Sequence, residues 1–241
     1  MKIFVPYFSQ MGRNGCGEDP TYLLEQLERE IRNNWHGVDE VRSRCYQAPG
    51  EWLEYATPAD EETSIGDPHE IYPKLGDTAR EPWHELQQLS DKNWLFLFLG
   101  ASNGCIPASF LAHQYHDQTL GLLLLSCVPG REQWGDVARF KFPVTVSAGW
   151  REQYFGGRAT IYEFAQMVHA GVIAFAGRHL EEGKEHLLPI AQYVAAISKP
   201  RSAAEAREAR EAGRSHRHHS PGEPKKDRGQ SKSPRRRQKK R

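Results

Sequence analysis

The chain has 241 residues and a formal net charge of +1, and that near-neutral value conceals a strong asymmetry. From Lys199 onward there are 16 Lys/Arg against 5 Asp/Glu, a net of +11, so residues 1–198 carry a net of −10. The length fits one sizeable α/β domain with an appendage, and the acidic body argues against docking on anionic membranes through the domain itself. No apolar run reaches the length that spans a membrane, and the amino-terminal apolar stretch meets Pro6 too early for a secretory signal.

Taken in order, Ile3 to Phe8 is a first strand, although Pro6 suits an edge better than a centre. A glycine-rich loop follows from Ser9 to Gly17. Asp19-Pro20 then sets a helix start, with Asp19 as N-cap and Pro20 in the first helical position. Leu24, Leu27 and Ile31 form its apolar stripe. Val41 to Tyr46, where Val41, Ser43 and Cys45 alternate with charged or polar residues, is a second strand. Residues 47–81 are irregular, rich in Pro, Gly, Asp and Glu, with isolated aromatics at Trp52, Tyr55 and Tyr72. They form either a surface excursion or a lid beside a binding pocket. Pro82 to Leu89 is the tail of a helix that leads into the centre of the chain.

Trp94 to Leu99 is uniformly apolar, as in a strand buried on both faces. Gly100-Ala101-Ser102-Asn103-Gly104 comes next, and a mostly apolar helical segment follows. A G-x-S-x-G sequence between strand and helix is the setting of a nucleophile elbow, where a serine occupies a strained turn and its hydroxyl projects beyond the sheet. Leu120 to Ser126 and Phe142 to Ala148 are two more buried strands. Ile161, Phe164, Ala165 and Val168 lie on one helix face, Val172 to Ala176 is the last strand, and Pro189 opens a final helix buried through Ile190, Val194 and Ile197. The alternation implies an α/β fold with a mainly parallel central sheet and helices on both faces.

The expected domain ends at residue 198. Residues 199–241 are read as a disordered basic tail, with a transient solvated helix over Ala203 to Ala212 and a cluster of Lys and Arg from Lys232 to Arg241. That cluster resembles a nuclear-localisation run or a contact for nucleic acid, another polyanion or an import receptor; a merely solubilising tail is the plainer alternative. Ser220-Pro221 and Ser233-Pro234 are places where phosphorylation would weaken such contacts. Cys16, Cys45, Cys105 and Cys127 lack metal-ligand spacing, and Cys105 and Cys127 read as reduced, buried thiols. Neither metal nor other cofactor is expected, and a cytoplasmic or nuclear compartment fits best.

Chemistry in parallel α/β sheets gathers beyond the carboxyl ends of the strands. Just past Phe142–Ala148 comes Glu152, and just past the last strand comes His179. The order Ser102, Glu152, His179 is nucleophile, acid, histidine. His179 would take the serine proton, and Glu152 would orient the imidazole and stabilise its charged form. The Asn103 N–H, with an N–H from Ser9 or Gln10 in the first loop, would serve as the oxyanion hole. His169 and His186 are competing histidines; Glu163 is excluded by its helical position.

These segments resemble the phospholipase/carboxylesterase group of α/β hydrolases, which includes acyl-protein thioesterases. The resemblance extends over most of residues 3–198. Leu99 to Cys105 matches the family's serine elbow. Gly149 to Glu152 is similar to its G-x-x-D acid motif with Glu for Asp, and Gly177-Arg178-His179 to its G-x-G-H segment with Arg178 for glycine. Trp52 to Tyr55 is loosely similar to its aromatic segment beside the acyl pocket. The family's His-Gly after the first strand is replaced here by Tyr7-Phe8-Ser9 or Phe8-Ser9-Gln10, and Pro107 falls near the start of the elbow helix. The resemblance implies a small α/β-hydrolase fold and a serine hydrolase acting on a small-molecule or acyl-protein ester or thioester through an acyl-enzyme. The alternative is a catalytically inactive relative whose basic tail binds nucleic acid or another polyanion.

Overall fold

The structure is a computed structural model that describes residues 1–9, 18–47, 77–131, 134–151, 157–177 and 184–200. Gln10, Cys16, Glu152 and His179 lie outside the described residues, as do residues 48–76 and the tail beyond Pro200.

Six strands form one sheet in the order β2-β1-β3-β4-β5-β6, and every neighbouring pair is parallel. They are β1 (Lys2–Ser9), β2 (Glu40–Gln47), β3 (Leu95–Ala101), β4 (Thr119–Leu125), β5 (Val144–Gly149) and β6 (Gly171–Phe175). The helices are α1 (Glu18–Asn34), α2 (Asp77–Asp91), α3 (Cys105–Gln114), the short α4 (Trp134–Val137), α5 (Gly157–Val168) and α6 (Lys184–Ile197). Each strand expected from the sequence is present, displaced by two residues or fewer at either end.

The uniformly apolar strands are explained by period-two alternation over two covered faces. Leu95, Leu97 and Leu99 of β3 join Ile3, Val5, Leu123 and Leu125 in an aliphatic core shared with Leu27 and Ile31 of α1 and Ile190 and Val194 of α6. Phe96 and Phe98 point the other way and join Phe4, Phe8, Trp83, Phe110 and Phe164 in an aromatic core under α2, α3 and α5. Trp35, just past α1, donates its Nε1–H to the Ala195 carbonyl at 2.8 Å and ties α1 to α6. Ile161, Phe164, Ala165 and Val168 are all buried, as their spacing predicts.

Pro6 sits in a central strand after all. Beside β3, the paired residues of β1 are Ile3, Phe4, Tyr7 and Phe8, so the ladder passes over Val5 and Pro6. Its missing N–H is absorbed by that gap while β2 stays paired throughout. Two helix starts also differ from expectation. α1 begins at Glu18, which places Pro20 later in the first turn, where a missing N–H still costs nothing. α6 begins at Lys184, so Pro189 lies inside the helix; it is exposed, and water can satisfy the carbonyl its ring leaves unpaired.

Truncation of Phe98, fully buried in the aromatic core, should cost about 3–5 kcal/mol. Met167→Ala, at a position 51% exposed, should change stability by about 0.5 kcal/mol or less. Urea unfolding of the two variants measures the difference.

Candidate active site

The chain runs from β1 to β2 on one side and then crosses to β3 on the other, so the carboxyl ends of β1 and β3 flank the point where strand order reverses. Crevices at such points collect ligands in parallel sheets. Phe8 pairs with Gly100, so in register Ser9 falls beside Ala101, one residue before Ser102.

Ser102 opens a single 3₁₀ turn, Ser102–Gly104, that joins β3 to α3. Its φ is +50°, in the left-handed region. A serine held there costs on the order of 1–3 kcal/mol and persists only where its surroundings enforce it. The glycines on either side explain how the turn fits. A Cβ on Gly104 would come 2.0 Å from the Phe8 carbonyl oxygen, so this residue presses directly on the β1 backbone. A Cβ on Gly100 would meet the Gly104 carbonyl oxygen at 2.5 Å and Ala108 at 2.8 Å. Both glycines of the pentapeptide are therefore required by close backbone approach. Pro107 is the third residue of α3, within its first turn, where it displaces no helical hydrogen bond.

Ser102 and Ser9 are buried, the first 8% and the second 1% exposed. Asn103 lies in the same 3₁₀ turn, directly after Ser102. The structure thus brings Ser102, Asn103 and Ser9 together. Gln10, Glu152 and His179 belong to stretches outside the described residues, although both flanking strands deliver the chain to the same edge. The ends of β5 and β6 are joined there, with Trp150 N–H on the Phe175 carbonyl and Arg151 N–H on the Gly177 carbonyl, both at 2.9 Å. The competing residues are placed clearly. His169 precedes β6, at the opposite end of the sheet. His186, in α6, packs its ring at a tilt against Phe175, the last residue of β6, with centroids 5.8 Å apart, and so lies at the same end as Ser102. Glu163 makes a two-pronged ion pair with Arg131 at 2.7 and 3.1 Å on the surface.

Contacts that single-residue motifs do not reveal fix the neighbouring strand ends. Tyr46, at the end of β2, stacks on Phe8 at 5.4 Å and donates its hydroxyl to Glu85 of α2 at 2.6 Å. Arg44 reaches the same carboxylate at 2.5 Å. On the other side, Trp134 donates its Nε1–H to the Pro129 carbonyl at 2.9 Å and packs edge-on against Phe164, which fixes the chain leaving β4.

The cysteines depart from expectation. Cys105, the first residue of α3, and Cys127, just past β4, are bonded to each other across Cα atoms 6.4 Å apart, within disulfide reach. They are not the reduced thiols that their buried settings suggest. Cys45 is disulfide-bonded as well. Reduced cysteines therefore no longer support the assignment to a reducing compartment. Adjacent strand ends create the contact, and a separation of 22 residues in the sequence gives no hint of it.

No family model matches the chain, and a search of curated proteins gives no match. Solved structures do match it. A predicted CIB-like hydrolase from Thermoplasma acidophilum is 14% identical, with a TM-score of 0.53 over 80% of this chain and 86% of its own. Est1E from Butyrivibrio proteoclasticus is 12% identical, with a TM-score of 0.52 over 80% of this chain and 85% of its own. A cold-adapted esterase from an Arctic intertidal metagenomic library is 12% identical, with a TM-score of 0.51 over 81% and 82%. At such identities the likeness is one of fold, and the domain has the α/β-hydrolase fold. Among the described residues, no helix is long and apolar enough to cross a membrane.

The left-handed turn makes a stability prediction. Ser102→Gly should be more stable than Ser102→Ala by about 1 kcal/mol, because only glycine relieves the positive φ. Urea unfolding midpoints of the two variants check this.

Proposed function

We propose that this domain is a serine hydrolase that cleaves a carboxylic ester or thioester through an acyl-enzyme. The observation that carries the proposal is Ser102 itself, held at φ +50° between β3 and α3 beside the strand-order reversal. Strain of this kind is retained where it serves a site, and this turn lifts the serine clear of the sheet. Hydrolases and an esterase share the fold, which agrees with the proposal at the level of architecture.

In the proposed reaction His179 removes the Ser102 proton as the oxygen attacks the acyl carbon. Glu152 keeps the imidazole oriented and stabilises its positive charge. The Asn103 N–H, with Ser9 or Gln10, receives the oxyanion. The protonated histidine then passes its proton to the leaving alcohol or thiol. Water, activated by the same histidine, releases the acid and restores the serine. The substrates proposed are small-molecule or acyl-protein esters and thioesters, as the resemblance to carboxylesterases and acyl-protein thioesterases suggests.

The charge asymmetry favours a second role, in which the tail with its net +11 binds nucleic acid, another polyanion or an import receptor. If the body is inactive, salt-dependent RNA or DNA binding that disappears on deleting residues 200–241 would be the whole function.

The discriminating experiment is labelling by a fluorophosphonate probe with parallel assays on p-nitrophenyl esters and acyl thioesters. Wild-type protein should be labelled and Ser102→Ala should not. His179→Gln should slow turnover by about 10²–10⁴-fold, while His186→Gln should stay near wild type. Absence of labelling in folded protein would contradict the hydrolase assignment, and loss confined to His186→Gln would transfer the base to α6.

A further inference from the structure

The elbow glycines let the left-handed turn at Ser102 press against β1, and a pair of sulfurs lies against the same turn from the β4 side. β3 and β4 end in register, Ala101 opposite Leu125, and each is followed at once by a left-handed serine, Ser102 at φ +50° and Ser126 at φ +53°. Ser126 is fully buried, and its N–H reaches both the carbonyl oxygen and the Oγ of Ser147 in β5 at 3.2 Å. The next residue, Cys127, is bonded to Cys105 at the start of α3. Its sulfur lies 2.7 Å from the Ser102 carbonyl oxygen, and the Cys105 sulfur lies 3.3 Å from that of Gly100. A bonded path therefore runs from β5 through Ser126 and Cys127 to Cys105 at the start of α3, and both sulfurs lie against carbonyl oxygens of the serine turn.

We infer that Cys105 and Cys127 are positioning residues for Ser102, and that their bond makes the reactivity of this serine depend on redox state. The inference rests on Ser102 being the nucleophile. Reduction is thiol–disulfide exchange. A dithiol's thiolate attacks one sulfur, the Cys105–Cys127 bond breaks, and the dithiol's second sulfur closes its own disulfide. Both cysteines are left as thiols carrying the dithiol's protons. Two thiols cannot stay at bonding distance. Both are buried, 0% and 1% exposed, in a close-packed interior, so the separation is taken up by the start of α3 or the exit from β4. Either movement displaces Ser102. A misplacement of about 1 Å at a reacting group costs on the order of 10²-fold in rate. Reoxidation by a low-molecular-weight disulfide restores the tether.

The test uses the full chain, oxidised or treated with a dithiol, with each state assigned by alkylation and peptide mass. The maximal rate of fluorophosphonate labelling should fall at least tenfold on reduction, with the probe concentration for half-maximal rate little changed, and should recover on reoxidation. Cys105→Ser/Cys127→Ser should be slow in both conditions; Cys45→Ser should keep the fall in labelling rate on reduction. Amide exchange over residues 101–105 should be at least tenfold faster in the reduced protein, a readout that needs no catalysis. Equal labelling rates in the two states of folded protein would overturn the inference, as would alkylation of both cysteines in denatured protein never exposed to reductant. If neither state is labelled, the hydrolase assignment fails; unchanged amide exchange would then overturn the tether too, and faster exchange would uphold it.

Discussion

The structure depends on one close approach, that of Gly104 to the carbonyl of Phe8. Without it the turn after β3 could not fold back against β1, Ser102 could not be held in a left-handed conformation, and α3 could not start where it does. α3 is apolar around most of its circumference, as a helix enclosed by β1, β3, β4 and its neighbours must be. That burial fixes the helix, and the fixed helix holds the strained serine. The conformational cost at one residue is thus carried by a large apolar contact around it.

The chemistry follows from where the strands end. All six are parallel, so the β-to-α connections leave from the same edge, and the strand order reverses between β1 and β3, beside Ser102, the place where ligands gather in parallel sheets. The two edge strands of the sheet are treated differently. β2 bears Glu40, Arg42 and Arg44, which take part in ion pairs with one another, with Lys2 and with Glu85. Such charges discourage pairing with another chain. β6 carries none and leaves Val172 partly exposed.

The fold was legible in the sequence because doubly covered parallel strands are apolar at nearly every position; Leu95–Leu99 and Leu120–Leu125 are close to that limit, and Val144–Ala148 departs from it only with the small Thr145 and Ser147. Ser102 was legible because its glycines sit at the spacing that backbone contact demands. The sulfur bridge was not, since Cys105 and Cys127 meet only through strand adjacency. Nor was the Tyr46–Glu85 hydrogen bond, which joins residues 39 apart. Pro6 and Pro189 misled for the same reason. Proline propensity describes a local hydrogen bond, whereas a gap in one ladder or an exposed helix face absorbs its loss. The expected positions of Glu152 and His179 rest on strand direction alone, as they lie outside the described residues.

The central claim is that Ser102 is a nucleophile served by an acid and a base from the ends of β5 and β6. A crystal structure of the protein after reaction with a fluorophosphonate tests it most directly. Phosphorus should lie on Ser102 Oγ with φ still positive, a phosphoryl oxygen should accept from the Asn103 N–H, and the His179 ring should sit between Ser102 and Glu152. An adduct on another residue, or a Ser102 adduct with His179 and Glu152 far from it, would contradict the account.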